Sequence, residues 1–334
     1  MTGIPAPAAY TVGTVISLDG TTIGYRQFGH GPGVILVHGG MQAAQNFGRL
    51  AAALADAFEV YVPDRRGRGV SGPPGERYCL TTECEDLDAL LAATGTHNVF
   101  GLSSGALIEL EAARTLPAIH RVALYEPPLS VDHSTPTDWV ARYDREIAEG
   151  KLGSAVVTAL QGTRSAPPIL RFVPRVLLDA VLNRATRVGH EDGSGREDRP
   201  PPVRSRARGA AMRALLWPLR RAAGRNERSD DGVGGPADVP LRALVPTMHY
   251  DAQLVIESEG TLPQYAGVPA EVLLLGGSQS PGYLRQSLDA LGGVLPHVRR
   301  VELAGVGHLA ADNSEKPELV ARELRGFFTS DVTP

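Results

Sequence analysis

The sequence predicts an α/β protein in which helices flank a mostly parallel sheet. Apolar, β-branched runs alternate with helical patterns through residues 1–130, which is typical of βαβ crossovers. The same alternation returns in residues 266–334, whereas residues 131–265 show short helical patterns without strand rhythm. With 334 residues, 43% of them hydrophobic, the chain can form one large core with an inserted segment.

The chain opens with a hairpin signal, because Asp19-Gly20 separates two apolar runs at residues 14–18 and 22–26. Continuous apolar runs predict the buried strands, at residues 33–37, 59–64, 98–100, 121–126 and 271–277. Residues 300–303 fit a last strand. Helical patterns predict the helices, at about residues 43–58, 82–95, 106–113, 137–148, 283–291 and 317–328. We place the start of the second helix at Thr82, where Thr82-Glu83-Cys84-Glu85 has the pattern of a capping box.

Residues 131–265 are predicted to be a separate helical lid, and residues 1–130 and 266–334 the core domain. Within the lid, helical patterns at 169–185 and 210–223 flank residues 188–209. That segment is rich in arginine, proline and glycine, so we expect it to be flexible.

Composition excludes several classes of function. A net charge of −4 favours neither nucleic acid nor a membrane as partner. No apolar run is long enough to span a bilayer, and the first residues lack the pattern of a signal peptide, so a cytoplasmic location is expected. Cys79 and Cys84 have no partners at metal-binding spacing and are interpreted as unpaired thiols. We expect no metal or organic cofactor, and a homodimer remains open.

The most informative motif is Gly101-Leu102-Ser103-Ser104-Gly105, which lies between a predicted strand and a predicted helix. A serine at the apex of a sharp strand-to-helix turn needs small residues two positions before and after it. In a chain with 38 glycines this pentapeptide can arise by chance. Its position between a predicted strand and a predicted helix is therefore the main evidence that it forms a nucleophile elbow. Ser103 is therefore a candidate nucleophile.

Four motifs together resemble the α/β-hydrolase family, over roughly residues 14–130 and 266–330. In chain order they are His38-Gly39-Gly40, the turn Asp64-Arg65-Arg66-Gly67-Arg68-Gly69, the elbow at Ser103, and Gly305-Val306-Gly307-His308. The resemblance implies an α/β-hydrolase fold with an eight-stranded sheet and a lid between strands six and seven. The Asp64–Gly69 turn looks structural, and we assign it no catalytic role.

Chemistry and resemblance together assign the partners of Ser103. A serine hydroxyl needs an imidazole to take its proton, and His308 lies in a glycine-bracketed loop where the family places this base. Negative charge on the attacked carbonyl oxygen needs preorganised donors. The N–H of Ser104 is one candidate, and by resemblance the N–H of Gly40 is the other.

The third member of the triad departs from the common family pattern. The turn after strand seven, where much of the family has aspartate, has Ser280 instead, and serine cannot carry the negative charge. Glu126, at the end of strand six, occupies a position where zearalenone-type lactonases and some haloalkane dehalogenases place their acid. We therefore predict Glu126 as the acid, with Asp251 as the main alternative and Asp312 as a weaker one.

These residues predict a cofactor-independent serine hydrolase that cleaves a carboxylic ester or lactone, similar to zearalenone-type lactonases. Serine at the elbow argues against dehalogenase and epoxide-hydrolase chemistry, which use a carboxylate there. Two alternatives remain: a carbon–carbon bond hydrolase or cofactor-free cyclase or lyase on the same fold, and a non-catalytic binding protein. Candidates for the apolar wall of the lid, most of them expected to pack within it, are Trp139, Tyr143, Leu170, Phe172, Leu177, Leu178, Leu215, Leu216 and Trp217.

Overall fold

The computed structural model describes residues 9–165 and 238–329, and these form one eight-stranded sheet. The strands are β1 (Thr11–Ile16), β2 (Thr22–Gly29), β3 (Gly33–Val37), β4 (Glu59–Pro63), β5 (Asn98–Leu102), β6 (Arg121–Tyr125), β7 (Glu271–Gly277) and β8 (Val298–Leu303). Their order is β1-β2-β4-β3-β5-β6-β7-β8, in which the β1–β2 and β2–β4 pairs are antiparallel and the other pairs are parallel. The predicted eight-stranded, mostly parallel sheet is confirmed.

The described helices are α1 (Gly48–Leu54), α2 (Leu80–Thr94), α3 (Ser104–Thr115), α4 (Val140–Ala148), α5 (Leu152–Gly162), α6 (Leu241–Leu244), α7 (Met248–Glu257), α8 (Gly282–Val294) and α9 (Pro317–Thr329). Short 3₁₀ turns occupy Ala44–Phe47, Val245–Thr247 and Leu262–Gly267.

Helices cover both faces of the sheet, because successive side chains of a strand point to opposite sides. Ile35 and Val37 of β3 pack into one core with residues of α2, α3 and α8. Val34 and Leu36 of the same strand pack into a second core with residues of α1 and α9. Burial on both sides explains why the central parallel strands, such as β3, have continuous apolar sequences.

Two predicted helices differ from the structure near their first turns. α2 begins at Leu80 with Cys79 as its N-cap, so the predicted start at Thr82 is wrong. Thr82 instead occupies the third helical position, and its Oγ1 accepts a hydrogen bond of 2.9 Å from the N–H of Cys79. The predicted helix at 43–58 divides into a 3₁₀ turn and the shorter α1.

The chain between β6 and β7 contains α4 to α7, which share a small apolar cluster that includes Trp139, Tyr143 and Val245. The helical patterns predicted at 169–185 and 210–223, and the segment 188–209, lie outside the described residues. Within residues 9–165 and 238–329, every helix is too short or too polar to cross a membrane.

Candidate active site

Ser103 lies between the last residue of β5 and the first residue of α3, with a backbone φ of +56°. Left-handed backbone is unfavourable for serine and persists only where the surrounding structure enforces it. A Cβ atom at Gly105 would lie 2.4 Å from the carbonyl oxygen of Val37, and one at Gly101 would lie 2.5 Å from that of Gly105. Glycine is thus required on both sides of the elbow, which presents Ser103 at the carboxyl edge of the sheet.

Ser103, His308 and Glu126 form a continuous chain of hydrogen bonds. Ser103 Oγ lies 3.0 Å from His308 Nε2, and His308 Nδ1 lies 2.7 Å from Glu126 Oε2. Glu126 is fully buried, while His308 is half-buried and lines the cavity described below. Three residues that are distant in the sequence are therefore brought into one array.

Local backbone geometry aims the Glu126 carboxylate at the imidazole. The N–H of Glu126 donates to the carbonyl of Leu275 at 3.0 Å and extends the β6–β7 pairing by one residue. Its φ of +48° then turns the chain away from the sheet. Glu126 Oε1 accepts a 2.6 Å hydrogen bond from the N–H of Gly277, so the second oxygen faces His308. Both carboxylate oxygens have partners, as a buried charge requires.

The other acids considered from the sequence do not contact His308. Asp251, the main alternative, instead accepts hydrogen bonds from Arg65 at 2.8 Å and Arg68 at 2.6 Å. Asp312 accepts from the side-chain amides of Gln42 and Asn46. Both ring nitrogens of His308 already have Ser103 and Glu126 as partners, so Asp251 is not the acid of this array.

Gly40 and Ser104 flank Ser103 in the wall of the same cavity. Over the described ranges, neither backbone N–H donates to a protein acceptor. The N–H of Gly39 differs, because it donates to Gln42 Oε1 at 2.9 Å. The two N–H groups predicted for the oxyanion hole are therefore free to bind a substrate oxygen.

The cavity above Ser103 has a volume of about 210 Å³ and mostly apolar walls. Much of the wall comes from the segment between β6 and β7, including Trp139, Val156, Leu160 and Met248. Of the predicted wall residues, Trp139 lines the cavity. The ring of Tyr143 packs edge to face against the ring of Trp139, with the ring centroids 5.7 Å apart. The other predicted wall residues, Leu170, Phe172, Leu177, Leu178, Leu215, Leu216 and Trp217, lie outside the described residues.

A network of buried charges lies beneath the cavity, where the sequence predicted only a structural turn. Arg65 and Arg68, which follow β4, are both buried and both pair with Asp251 of α7. Arg65 also pairs with the buried Glu83 of α2 at 2.8 Å. Asp251, the carboxylate that joins the two arginines, is 186 positions from Arg65 in the sequence, so no local pattern could have identified the network.

Two groups in this network have strongly shifted pKa values. Burial would raise the pKa of Asp251, but the guanidinium groups of Arg68 and Arg65 outweigh it and hold the pKa below its usual range. Burial, assisted by Arg68 and Arg65, lowers the pKa of His38 well below its usual range. At neutral pH Asp251 is therefore ionised and His38 is neutral. In residues 9–165 and 238–329, no three His, Cys, Asp or Glu side chains are grouped as metal ligands.

Comparison with known proteins agrees with this architecture. Residues 32–143 match the family model for the alpha/beta hydrolase fold. The chain is 36% identical over 119 residues to an uncharacterised hydrolase of Bacillus subtilis, and 33% identical over 128 residues to N-formylmaleamate deformylase of Pseudomonas putida. These matches cover 34% and 37% of this chain but only 44% and 48% of the two relatives.

A solved α/β hydrolase from Sphaerobacter thermophilus is similar over nearly the whole length. Its TM-score is 0.67 at 28% sequence identity, and the match covers 95% of this chain and all of that one. The matched segment contains the elbow, and the sheet order, the elbow geometry and the whole-chain superposition agree. The protein therefore has the α/β-hydrolase fold, to whose family model its residues 32–143 are similar.

Proposed function

We propose that the protein is a hydrolase that cleaves a carboxylic ester or lactone through an acyl-enzyme on Ser103, without a cofactor. The observation that carries the proposal is the unbroken hydrogen-bonded chain from Ser103 through His308 to Glu126. This chain opens on an apolar cavity beside two backbone N–H groups that have no acceptor among the described residues. Such an arrangement suits attack on a carbonyl carbon and stabilisation of the resulting oxyanion.

The proposed reaction begins when His308 Nε2 takes the proton of Ser103 Oγ and the oxygen attacks the substrate carbonyl. The N–H groups of Gly40 and Ser104 bind the oxyanion. Collapse of the tetrahedral intermediate breaks the ester bond, and His308 returns its proton to the departing alcohol. Water then attacks the acyl-enzyme by the same route, and this step releases the acid and restores Ser103.

Glu126 makes this proton transfer possible by selecting one tautomer of His308. Its Oε2 accepts from Nδ1–H at 2.7 Å, which leaves Nε2 without a proton and able to receive one from Ser103. The same carboxylate stabilises the imidazolium that forms during the reaction. Glu126, directly after β6, thus supplies the carboxylate that serine at position 280 cannot supply.

Labelling with a fluorophosphonate probe tests whether Ser103 is an activated nucleophile, because such probes react with nucleophilic serines. We expect rapid, saturable labelling of the wild-type protein and complete loss of labelling in Ser103→Ala, with unchanged circular dichroism. Absence of labelling in folded wild-type protein would contradict the proposal and favour a non-catalytic binding role. Release of both acid and alcohol from an ester substrate then distinguishes ester cleavage from carbon–carbon cleavage.

The cavity also predicts the preferred acyl group. Its charged wall residues, Asp251 and Asp312, are engaged by protein donors, and most of the remaining wall is apolar. For p-nitrophenyl esters we expect kcat/KM to rise by about fourfold for each added methylene from acetate to butyrate, as burial of apolar surface implies. A half-ester of succinic acid, which adds a carboxylate at similar length, should be a much poorer substrate. Equal kcat/KM across the series would show that the acyl chain does not enter this cavity.

Similarity to zearalenone-type lactonases remains a prediction, and a macrolactone in the same series tests it. Hydrolysis of the macrolactone at a rate comparable to the acyclic esters would support a lactonase, whereas exclusive cleavage of acyclic esters would favour a carboxylesterase.

A further inference from the structure

We infer that Asp251 is a positioning residue that holds both residues of the oxyanion hole, Gly40 and Ser104. The inference rests on the proposed acyl transfer and deepens it. Asp251 belongs to α7, in the segment between β6 and β7, so the helix that helps to form the cavity would also set the geometry of the oxyanion donors.

The contact with Ser104 is direct. Asp251 Oδ1 accepts a 2.7 Å hydrogen bond from Ser104 Oγ, and both side chains are buried. Ser104 is the first residue of α3, and its own N–H is one of the two donors that have no acceptor in the described part of the chain. Because the side chain is bonded to Asp251, the backbone of this residue is restrained from one side by α7 and from the other by α3.

The contact with Gly40 runs through Arg68. Asp251 Oδ2 accepts from Arg68 Nη2 at 2.6 Å, and Arg68 Nη1 donates to the carbonyl oxygen of Gly39 at 3.1 Å. This carbonyl shares a planar trans peptide with the N–H of Gly40, so the two groups point in opposite directions. Since the carbonyl points to the buried guanidinium beneath the cavity, the N–H of Gly40 points away from it, on the cavity side.

α7 also packs directly on this loop. A Cβ atom at Gly40 would lie 2.8 Å from Met248 Sδ and 3.3 Å from Asp251 Oδ2. The absence of a side chain at Gly40 therefore allows the helix to approach the backbone that carries the donor. Close packing of this kind transmits small displacements of α7 to the N–H group.

The charges around Asp251 allow a carboxylate to lie close to a developing oxyanion. Arg65 and Arg68 both pair with the Asp251 carboxylate. Glu83 pairs with Arg65. His38, in the same network, is neutral because burial lowers its pKa. The two cations and two carboxylates balance, so Asp251 can position the donors without leaving net negative charge beneath them.

The test compares Asp251→Asn with Glu83→Gln. Both variants remove one buried carboxylate from Arg65, but only Asp251 touches Ser104 and Arg68. For Asp251→Asn we expect kcat on an aryl ester to fall roughly 10- to 100-fold with little change in KM, since misaligned donors cost somewhat less than a deleted one. An alkylboronic acid, whose tetrahedral serine adduct places an oxygen in the oxyanion hole, should lose affinity by a similar factor.

Glu83→Gln should lower the melting temperature comparably while kcat and the boronic acid affinity stay near wild type. Equal losses in the two variants, or unchanged boronic acid affinity in Asp251→Asn, would overturn the inference while leaving the proposed function intact.

If Asp251→Asn does not fold, the Ser104→Ala variant tests the inference instead. It removes the oxygen that donates to Asp251 and accepts from Arg65, and we expect a smaller, roughly threefold to tenfold, loss in the same two quantities. A folded Ser104→Ala protein without such a loss contradicts the inference, whereas a wild-type protein without esterase activity contradicts the proposed function and the inference together.

Discussion

Glu126→Gln is expected to lower kcat by about 10⁴-fold and to leave the protein folded. The glutamine amide has the same shape as the carboxylate, so its oxygen can still accept from the N–H of Gly277, as Glu126 Oε1 does at 2.6 Å. Its –NH₂ group then faces His308 Nδ1 in place of the carboxylate oxygen. A donor at this position stabilises the tautomer that has its proton on Nε2, which cannot take the proton of Ser103.

The measurement is steady-state ester hydrolysis, together with the rate of fluorophosphonate labelling, for wild type, Glu126→Gln and Asp312→Asn. Asp312 is a suitable control because it also lies in the cavity wall but bonds to Gln42 and Asn46 rather than to the imidazole. We expect a far smaller loss in the control. A Glu126→Gln variant with activity close to wild type would show that another group orients His308.

Glu109→Met is expected to stabilise the protein by about 2 to 5 kcal/mol at pH 7. Glu109 lies on α3 and is fully buried, and neither carboxyl oxygen has a hydrogen-bond partner in the described part of the chain. Burial raises the pKa of this carboxyl well above its usual range. Methionine is unbranched and of similar length, so it can fill the same space without the polar head.

The sign of the pH dependence follows from proton binding. The folded protein keeps the Glu109 proton above pH 4.3 or so, where the unfolded chain has released it. Rising pH then favours unfolding, by about 1.4 kcal/mol per pH unit, until the pKa of the folded state is reached. This stability is fully present below the unfolded pKa and is lost as pH rises.

Urea unfolding of wild type and Glu109→Met at pH 5, 6, 7 and 8 tests this. The difference in unfolding free energy should grow by about 1.4 kcal/mol per pH unit as pH rises, until the pKa of the folded state is reached. Glu111→Gln is the matched control, because Glu111 lies on the same helix but is paired with Arg114 at the protein surface. Its difference from wild type should be small and nearly independent of pH. If the unfolding free energies of wild type and Glu109→Met change with pH in the same way, the buried Glu109 carboxyl does not destabilise the protein as expected.

The strands could be predicted closely because each is a local pattern with clear ends. The runs at 33–37 and 271–277 coincide with β3 and β7, since continuous apolar sequence is what two covered faces demand. The start of α2 could not be placed as well. Both Cys79 and Thr82 precede an apolar helix, and only the hydrogen bond between them shows which one is the N-cap.

Some residues of the candidate site could likewise be predicted from local sequence patterns, and others could not. The elbow at Ser103 and the loop of His308 depend on glycines within a few positions, so their patterns are visible in the sequence. Glu126 could be selected only from the resemblance and the unusual Ser280, because a glutamate at a strand end is otherwise unremarkable. The link from Asp251 to Arg68 joins residues 183 positions apart and left no local signal.

Local patterns were thus enough to predict the sheet, the strained serine and the order of the motifs, because these depend on side-chain period and on glycine at short spacing. Which carboxylate contacts the imidazole, and which one contacts the two arginines, is visible only in the folded protein. That choice depends on how the loops at the carboxyl edge of the sheet and α7 come together in space. Buried charges must find partners there, and those partners are set by packing rather than by their positions along the chain.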